Sequence, residues 1–231
     1  MQSKLSIEPI FQIGPLQITN TVVTTWIIMA ALGLCAWAFT RKLSLQPGRL
    51  QTILEIIVSA MESAVEQVAT NQTRIVLPVV ASLWVFLVCA NLLGLIPGLH
   101  SPTGDLSATA ALALLVFIYS QYFAIRYIGF KRYISHYVQP TPLLLPFHIV
   151  SEISRTVALA IRLFGNIMSL EMAAVLVLVI AGFLVPIPIL MLHIVEALVQ
   201  AYIFGMLALI YIAGSIQSQQ IKHSSQGETN A

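Results

Sequence analysis

Apolar positions in this chain gather into five long runs separated by short polar connections. The first run, residues 20–40, opens on Asn20 and Thr21, either of which can cap a helix, and closes on Arg41 and Lys42. About 20 residues at 1.5 Å each cross a hydrocarbon layer about 30 Å thick, so one transmembrane helix is predicted there. Two more single crossings are expected. One covers 75–97, with Pro78 tolerated in its first turn and Pro97 and Gly98 at its end; the other covers 106–127, after the turn-rich "HSPTGD". Residues 47–69 follow another pattern: Leu50, Ile53, Leu54, Ile57, Met61, Ala64, Val65 and Val68 recur at helical spacing, and Gln51, Glu55, Ser59, Glu62 and Glu66 form the opposite stripe. That pattern predicts an amphipathic helix lying in the membrane interface.

The last two runs are too long to stand upright. The fourth crossing is read over 143–184; its 38 residues from Phe147 to Leu184 contain no proline. At 1.5 Å per residue they make roughly 57 Å of helix, which fits about 30 Å of hydrocarbon only at a tilt near 60°. The fifth, over 187–216, is roughly 45 Å long and needs the same treatment to a lesser degree. A break at Gly165 or Gly182 is the alternative, but polar residues spread along the whole length favour tilt. Residues 1–19 are read as an outer N-terminal segment and 217–231 as a solvated tail. The expected fold is a single all-α integral membrane domain: five transmembrane helices plus one interfacial amphipathic helix, the last two transmembrane helices long and strongly tilted.

Composition agrees with a membrane setting. Hydrophobic residues make up 58% of the 231 and charged residues only 9%, against about a quarter in soluble domains. Mean hydropathy is +0.90. The eleven Lys and Arg are scattered and the net charge is +2, which argues against nucleic acid as a partner. Cys35 and Cys89 stand in apolar runs and read as small buried hydrophobes, and no metal site is expected. The opening residues lack the pattern of a secretory signal, so the mature chain is expected to begin near Met1. If the five crossings alternate, Arg41, Lys42, Arg49, Arg74, Arg126, Lys131, Arg132 and Lys222 share one side and Lys4 lies opposite. Basic loops are retained in the cytoplasm, so the N-terminus is expected outside and the C-terminus inside. No soluble segment is long enough for its own core, so chemistry on a soluble substrate must belong to partner chains.

The last two runs hold an unusual set of polar residues. Ser151, Arg155 and Arg162 share one helical face, with Asn166 one turn further on. Glu171 lies nine residues beyond Arg162, on the opposite side and about 13 Å along the axis, so the two cannot pair on one helix. His193, Glu196 and Gln200 form one stripe on the last helix. Each ionisable group at membrane depth costs about 2.5 to 3.5 kcal/mol on insertion scales, so such a set implies an aqueous or polar path. Glu152 and Arg155 fit a local ion pair reaching the interface equally well. Arg162 is too far from either end of its segment for that. Its guanidinium stays protonated, so it can neither shuttle a proton nor act as a base; it can favour a carboxylate brought beside it and repel a leaking cation. Glu171 and His193 can exchange protons, and Glu196 and Gln200 can extend a chain of waters.

These residues carry a resemblance. "IRLFGNIMSLE" followed by "HIVEALVQAYIF" resembles the signature of subunit a of the F-type ATP synthase, and the likeness extends to "NLLGLIPG" (91–98) and to the "PTP" and "LPF" segments before the fourth crossing. It implies the membrane stator facing a rotating ring of subunit c in a bacterial inner membrane, a non-catalytic, multi-pass subunit without cofactor. The implied partners are the c-ring, the peripheral stalk subunit b, the lipid bilayer and, indirectly, the catalytic head. Arg162 then matches the essential arginine that prevents short-circuit between two offset half-channels, and Asn166 and Gln200 match the polar residues near it. Glu171 and His193 match the outer half-channel, with Glu196 one turn from His193. His148, Ser151, Glu152 and Arg155 would line the inner half-channel. Leu170 stands where the family usually has glycine, and Glu196 is a carboxylate many members lack. The short bacterial forms, including the alternative ATPases some bacteria carry beside their main enzyme, are the nearest in character. Coupling to sodium is the alternative to protons. An intramembrane metalloenzyme is a rival through the HxxE spacing of His193 and Glu196, but Ala197 leaves HExxH and HxxEH incomplete. A stand-alone transporter is disfavoured because internal repeats and broken midplane helices are not apparent.

Overall fold

A computed structural model describes residues 9–13, 16–41, 48–70, 72–94, 101–128, 145–181 and 186–228. The described backbone is helical apart from one short hairpin. In chain order come strands β1 (Pro9–Ile13) and β2 (Leu16–Thr19), helices α1 (Asn20–Thr40), α2 (Arg49–Val68) and α3 (Thr73–Leu93), a 3₁₀ turn η1 (Pro102–Gly104), and helices α4 (Leu106–Ile128), α5 (Leu145–Ala181) and α6 (Pro186–Glu228). Among the described residues, five helices are long and apolar enough to cross a membrane, over Thr21–Thr40, Thr73–Leu93, Leu106–Arg126, Pro146–Ile180 and Pro188–Gly214. The sixth, α2, carries Glu55, Glu62 and Glu66 on one stripe, as its sequence pattern predicts.

Several boundaries differ from the sequence reading. Helix α3 stops at Leu93, where the Gly94 N–H turns back to the Asn91 carbonyl, so it ends short of 97; Pro97 and Gly98 lie outside the described residues. Helix α5 runs unbroken through Gly165, which removes the break considered there; residues 143–144 and 182–185, with Gly182, lie outside the described residues. So do the "PTP" segment and the basic residues Lys131 and Arg132. Helix α6 extends to Glu228, well past the end expected at 216. No proline interrupts "QSQQIKHSSQGE", and its Gln and Lys are good helix formers, so polarity alone was a poor stop signal. The hairpin was missed for a related reason. "PIFQI" and "LQIT" flank the turn-forming Gly14-Pro15, and the strands pair antiparallel with Ile13 opposite Leu16 and a bulge between Pro9 and Phe11.

Lipid offers no hydrophobic driving force between helices, so helices at membrane depth associate through close packing of small residues. That is the pattern here. Ala113, Ala160, Ala201 and Ala208 pack with Leu83, Leu87, Val116, Leu159, Leu163 and Phe204, joining α3, α4, α5 and α6. A second cluster draws in α2: Val65 and Ala69 pack with Val76, Val80, Trp84, Phe123, Leu209 and Ile212. The C-terminal half of the amphipathic helix is thereby fixed to α3 and α6, while Leu50, Ile53, Ile56 and Ile57 in its N-terminal half stay exposed. Helix α1 is half-buried over residues 21–25 and mostly exposed from Trp26 on, burying Ile28.

Candidate functional site

Helix α5 separates two faces by its 3.6-residue period. Leu159, Leu163, Ile167 and Leu170 point into the bundle, while Val157, Ile161, Ser169, Met172, Val175, Leu176 and Val179 point outward. Arg162 belongs to the outward face. It sits at the midpoint of the Pro146–Ile180 span, and among the described residues it forms no hydrogen bond or ion pair. Helix α6 is divided in the same way: His193, Ala197, Gln200, Ala201, Phe204 and Ala208 are buried, and Leu192, Val195, Val199 and Tyr202 face outward.

One turn beyond Arg162, Asn166 reaches across the α5–α6 seam. Its Nδ2 donates to Oε1 of Gln200 at 2.6 Å, a bond between residues 34 apart in sequence. The Gln200 side chain is almost fully buried, and its Nε2 has no partner. His193, two turns earlier on the same face, is 2% exposed with Nε2 unpartnered. Buried polar atoms without partners are rare, because each forfeits its hydration; an aqueous path gives them one. Glu196 is half-buried on the same helix and takes part in no ion pair among the described residues.

Glu171 turns away from Arg162, as the nine-residue spacing predicts, toward η1. Its carboxylate lies against two bare glycines: a Cβ on Gly104 would sit 3.4 Å from Oε2, and one on Gly94 would sit 3.5 Å from Oε1. Beside it runs a polar chain that sequence reasoning did not single out as a unit. Ser101 Oγ donates to the Ala90 carbonyl (2.9 Å) and touches Thr103 Oγ1 (2.6 Å); Thr103 Oγ1 donates to Asn91 Oδ1 (2.7 Å); Asn91 Nδ2 donates to the Ala197 carbonyl (3.3 Å). The two hydroxyls, with one proton each, thus take part in three short oxygen contacts. Asn91 and Thr103 are fully buried, and the Ala197 carbonyl lies one turn from His193. The sequence did carry a signal, since Asn91 interrupts an apolar run; "HSPTGD" was read only as a turn. The neighbouring Asp105 caps α4, accepting from the Ser107 N–H at 3.0 Å.

At the other end of α5, Arg155 Nη1 donates to Glu152 Oε1 at 3.2 Å, and its guanidinium also lies 4.8 Å from the centre of the Tyr211 ring on α6. The local ion pair is therefore present. His148 and Ser151 are exposed near the start of α5. The structure thus joins Asn166 to Gln200 and Glu152 to Arg155, sets Glu171 on the η1 side, and leaves Arg162 on the outward face with no polar partner among the described residues.

A polytopic helical membrane protein with a fixed cation at mid-span, unpaired among the described residues, and protonatable groups toward both ends of the helix that carries it has the features of an ion-conducting membrane subunit. Comparison with known proteins makes this specific. The family model described as ATP synthase A chain matches residues 22–213. ATP synthase subunit a of Legionella pneumophila (strain Paris) is 57% identical over 220 residues, covering 95% of this chain and 95% of the relative. ATP synthase subunit a 1 of Hahella chejuensis is 62% identical over 205 residues, covering 89% of this chain and 87% of the relative. ATP synthase subunit a 2 of Pelobacter propionicus is 57% identical over 221 residues, covering 96% and 97%. The chain belongs to the ATP synthase subunit a family, and so to the membrane part of an ATP synthase complex.

Proposed function

We propose that this chain is the stator element through which protons reach and leave the carboxylates of a rotating c-ring, coupling proton flow to ATP synthesis or hydrolysis carried out on partner chains. The observation that carries the reading is Arg162: a permanently charged side chain at mid-span, outward-facing and unpaired among the described residues, in a band of exposed apolar residues from α5 and α6. An unpaired cation facing hydrocarbon is costly. A partner's carboxylate passing in front of it removes that cost.

Protons enter from outside along Glu171, His193 and Glu196 and protonate a ring carboxylate, which moves into lipid as a neutral group. After most of a turn the carboxylate meets the inner half-channel near His148, Ser151, Glu152 and Arg155. There Arg162 favours its ionised form, and the proton leaves to the cytoplasm. Asn166 and Gln200, bonded to each other, flank the arginine and hold the two half-channels apart. The N-terminus is then outside, and the long α5 and α6 lie steeply tilted against the curved ring. The transmembrane potential contributes about 2.3 kcal/mol per charge per 100 mV. Subunit b packs elsewhere on the exposed surface, and the chain itself performs no ATP chemistry.

The test is Arg162→Ala in the assembled complex in inverted membrane vesicles. ATP-driven acidification is expected to vanish, while passive proton leak through vesicles stripped of the catalytic head persists or rises. Acidification at the unsubstituted rate overturns the reading.

A further inference from the structure

Helix α6 is held by its main chain. Three side-chain donors from neighbouring helices reach its carbonyls: Asn91 Nδ2 to Ala197 (3.3 Å), Trp84 Nε1 to Tyr202 (3.2 Å) and Ser120 Oγ to Tyr211 (3.1 Å). A carbonyl inside a helix keeps a second lone pair, so each can accept without losing its helical bond. Asn91 and Trp84 stand two turns apart on α3, and their acceptors run in the opposite sense along α6. Bonds to the backbone do not depend on which side chains α6 carries. They fix how high the helix sits and how far it is turned.

The most closely packed of the three donors is Trp84. Its ring is buried and stacks on Tyr202 with centroids 6.0 Å apart and planes 8° apart. Its edge rests on bare backbone at Gly205, where a Cβ would fall 1.9 Å from Nε1, 2.2 Å from Cδ1 and 2.6 Å from Cε2. Any residue but glycine at 205 must push the indole out of a packed cluster or move the helix. Gly205 lies five residues from Gln200, about 140° around α6, and both are buried; a rotation of one residue, about 100°, would carry Gln200 away from Asn166.

We propose that Trp84, seated on Gly205 and bonded to the Tyr202 carbonyl, is a positioning residue. It fixes the register of α6 so that Gln200 meets Asn166 one turn from Arg162, and keeps it there while the rotor passes. The assignment rests on the stator reading above. Trp84 touches no ion; it acts through the helix that carries Gln200.

The readout is protons moved per ATP hydrolysed by the whole complex in inverted vesicles, at equal amounts of assembled chain. A merely structural role would lower the amount assembled and leave this ratio unchanged. Gly205→Ala is expected to lower the ratio about fivefold or more, since small misplacements in such sites have large effects. Combining it with Trp84→Leu, which vacates the space, should raise the ratio above that of Gly205→Ala alone. Trp84→Phe keeps a stacked ring but loses the N–H and the five-membered ring seated on Gly205; it is expected to assemble and to lower the ratio about twofold or more. If Gly205→Ala fails to assemble, Trp84→Phe decides. An unchanged ratio in Trp84→Phe, or a double variant no better than Gly205→Ala, overturns the proposal. Arg162→Ala in the same vesicles separates the two levels: active pumping there sinks the stator reading, whereas a dead Arg162→Ala beside a fully coupled Trp84→Phe sinks only the positioning role.

Discussion

At the scale of single residues, charge and hydrogen-bond satisfaction dominate. In the role proposed for it, Arg162 acts through geometry as well as charge, because a planar guanidinium offers two donors to a carboxylate where an ammonium offers a point charge. Arg162→Lys is therefore expected to assemble and yet lose most ATP-driven acidification, as read by a fluorescent pH probe in inverted vesicles. Thr103 makes the opposite case, a residue whose importance is structural and cannot be read from its neighbours in sequence. Its hydroxyl donates to the buried Asn91 Oδ1, so Thr103→Val, nearly isosteric, leaves an acceptor unsatisfied at a cost of about 1–3 kcal/mol. The purified complex should melt at a lower temperature than one carrying Thr103→Ser, which keeps the donor. The Arg155–Glu152 pair contributes little: its side chains are 39% and 27% exposed, so screening holds it below about 1 kcal/mol. Arg155→Ala should leave the melting temperature nearly unchanged.

At the scale of elements, the helices were legible because hydrophobic period and length are local properties. Residues 20–40 and 106–127 were delimited almost as found, since an apolar run bounded by polar residues has one way to satisfy its backbone in lipid. The ends of α3 and α6 were misjudged. A helix stops where capping and tertiary contacts let it, and neither the early turn at Gly94 nor the continuation through Gln219 to Glu228 is encoded in polarity. Interfaces between elements follow small residues, here the fully buried Ala201 and Ala208. Ala208→Leu should over-pack the α4–α6 seam, destabilise by about 1–3 kcal/mol and reduce the fraction recovered as assembled complex after mild detergent extraction.

At the scale of the whole molecule, the apolar outward faces of α5 and α6 suit the hydrocarbon depth at which the proposed rotor passes, and the basic loops are the basis of the orientation proposed above. With Cys35 and Cys89 replaced by Ala, Ser107→Cys should react with a membrane-impermeant thiol reagent in intact cells, whereas Arg49→Cys should react only in inverted vesicles. The opposite pattern would reverse the topology. Composition and period alone decided that this is a membrane protein with five crossings and a surface helix, because insertion into lipid depends on segment hydrophobicity. They also marked Arg162, Glu171 and His193, because charge at membrane depth is conspicuous in any linear reading. Only the tertiary structure decided which of them stand alone and which are joined. Asn166 meets Gln200, Thr103 meets Asn91, and Trp84 rests on Gly205, because those contacts cross helices and depend on register, which no local pattern records.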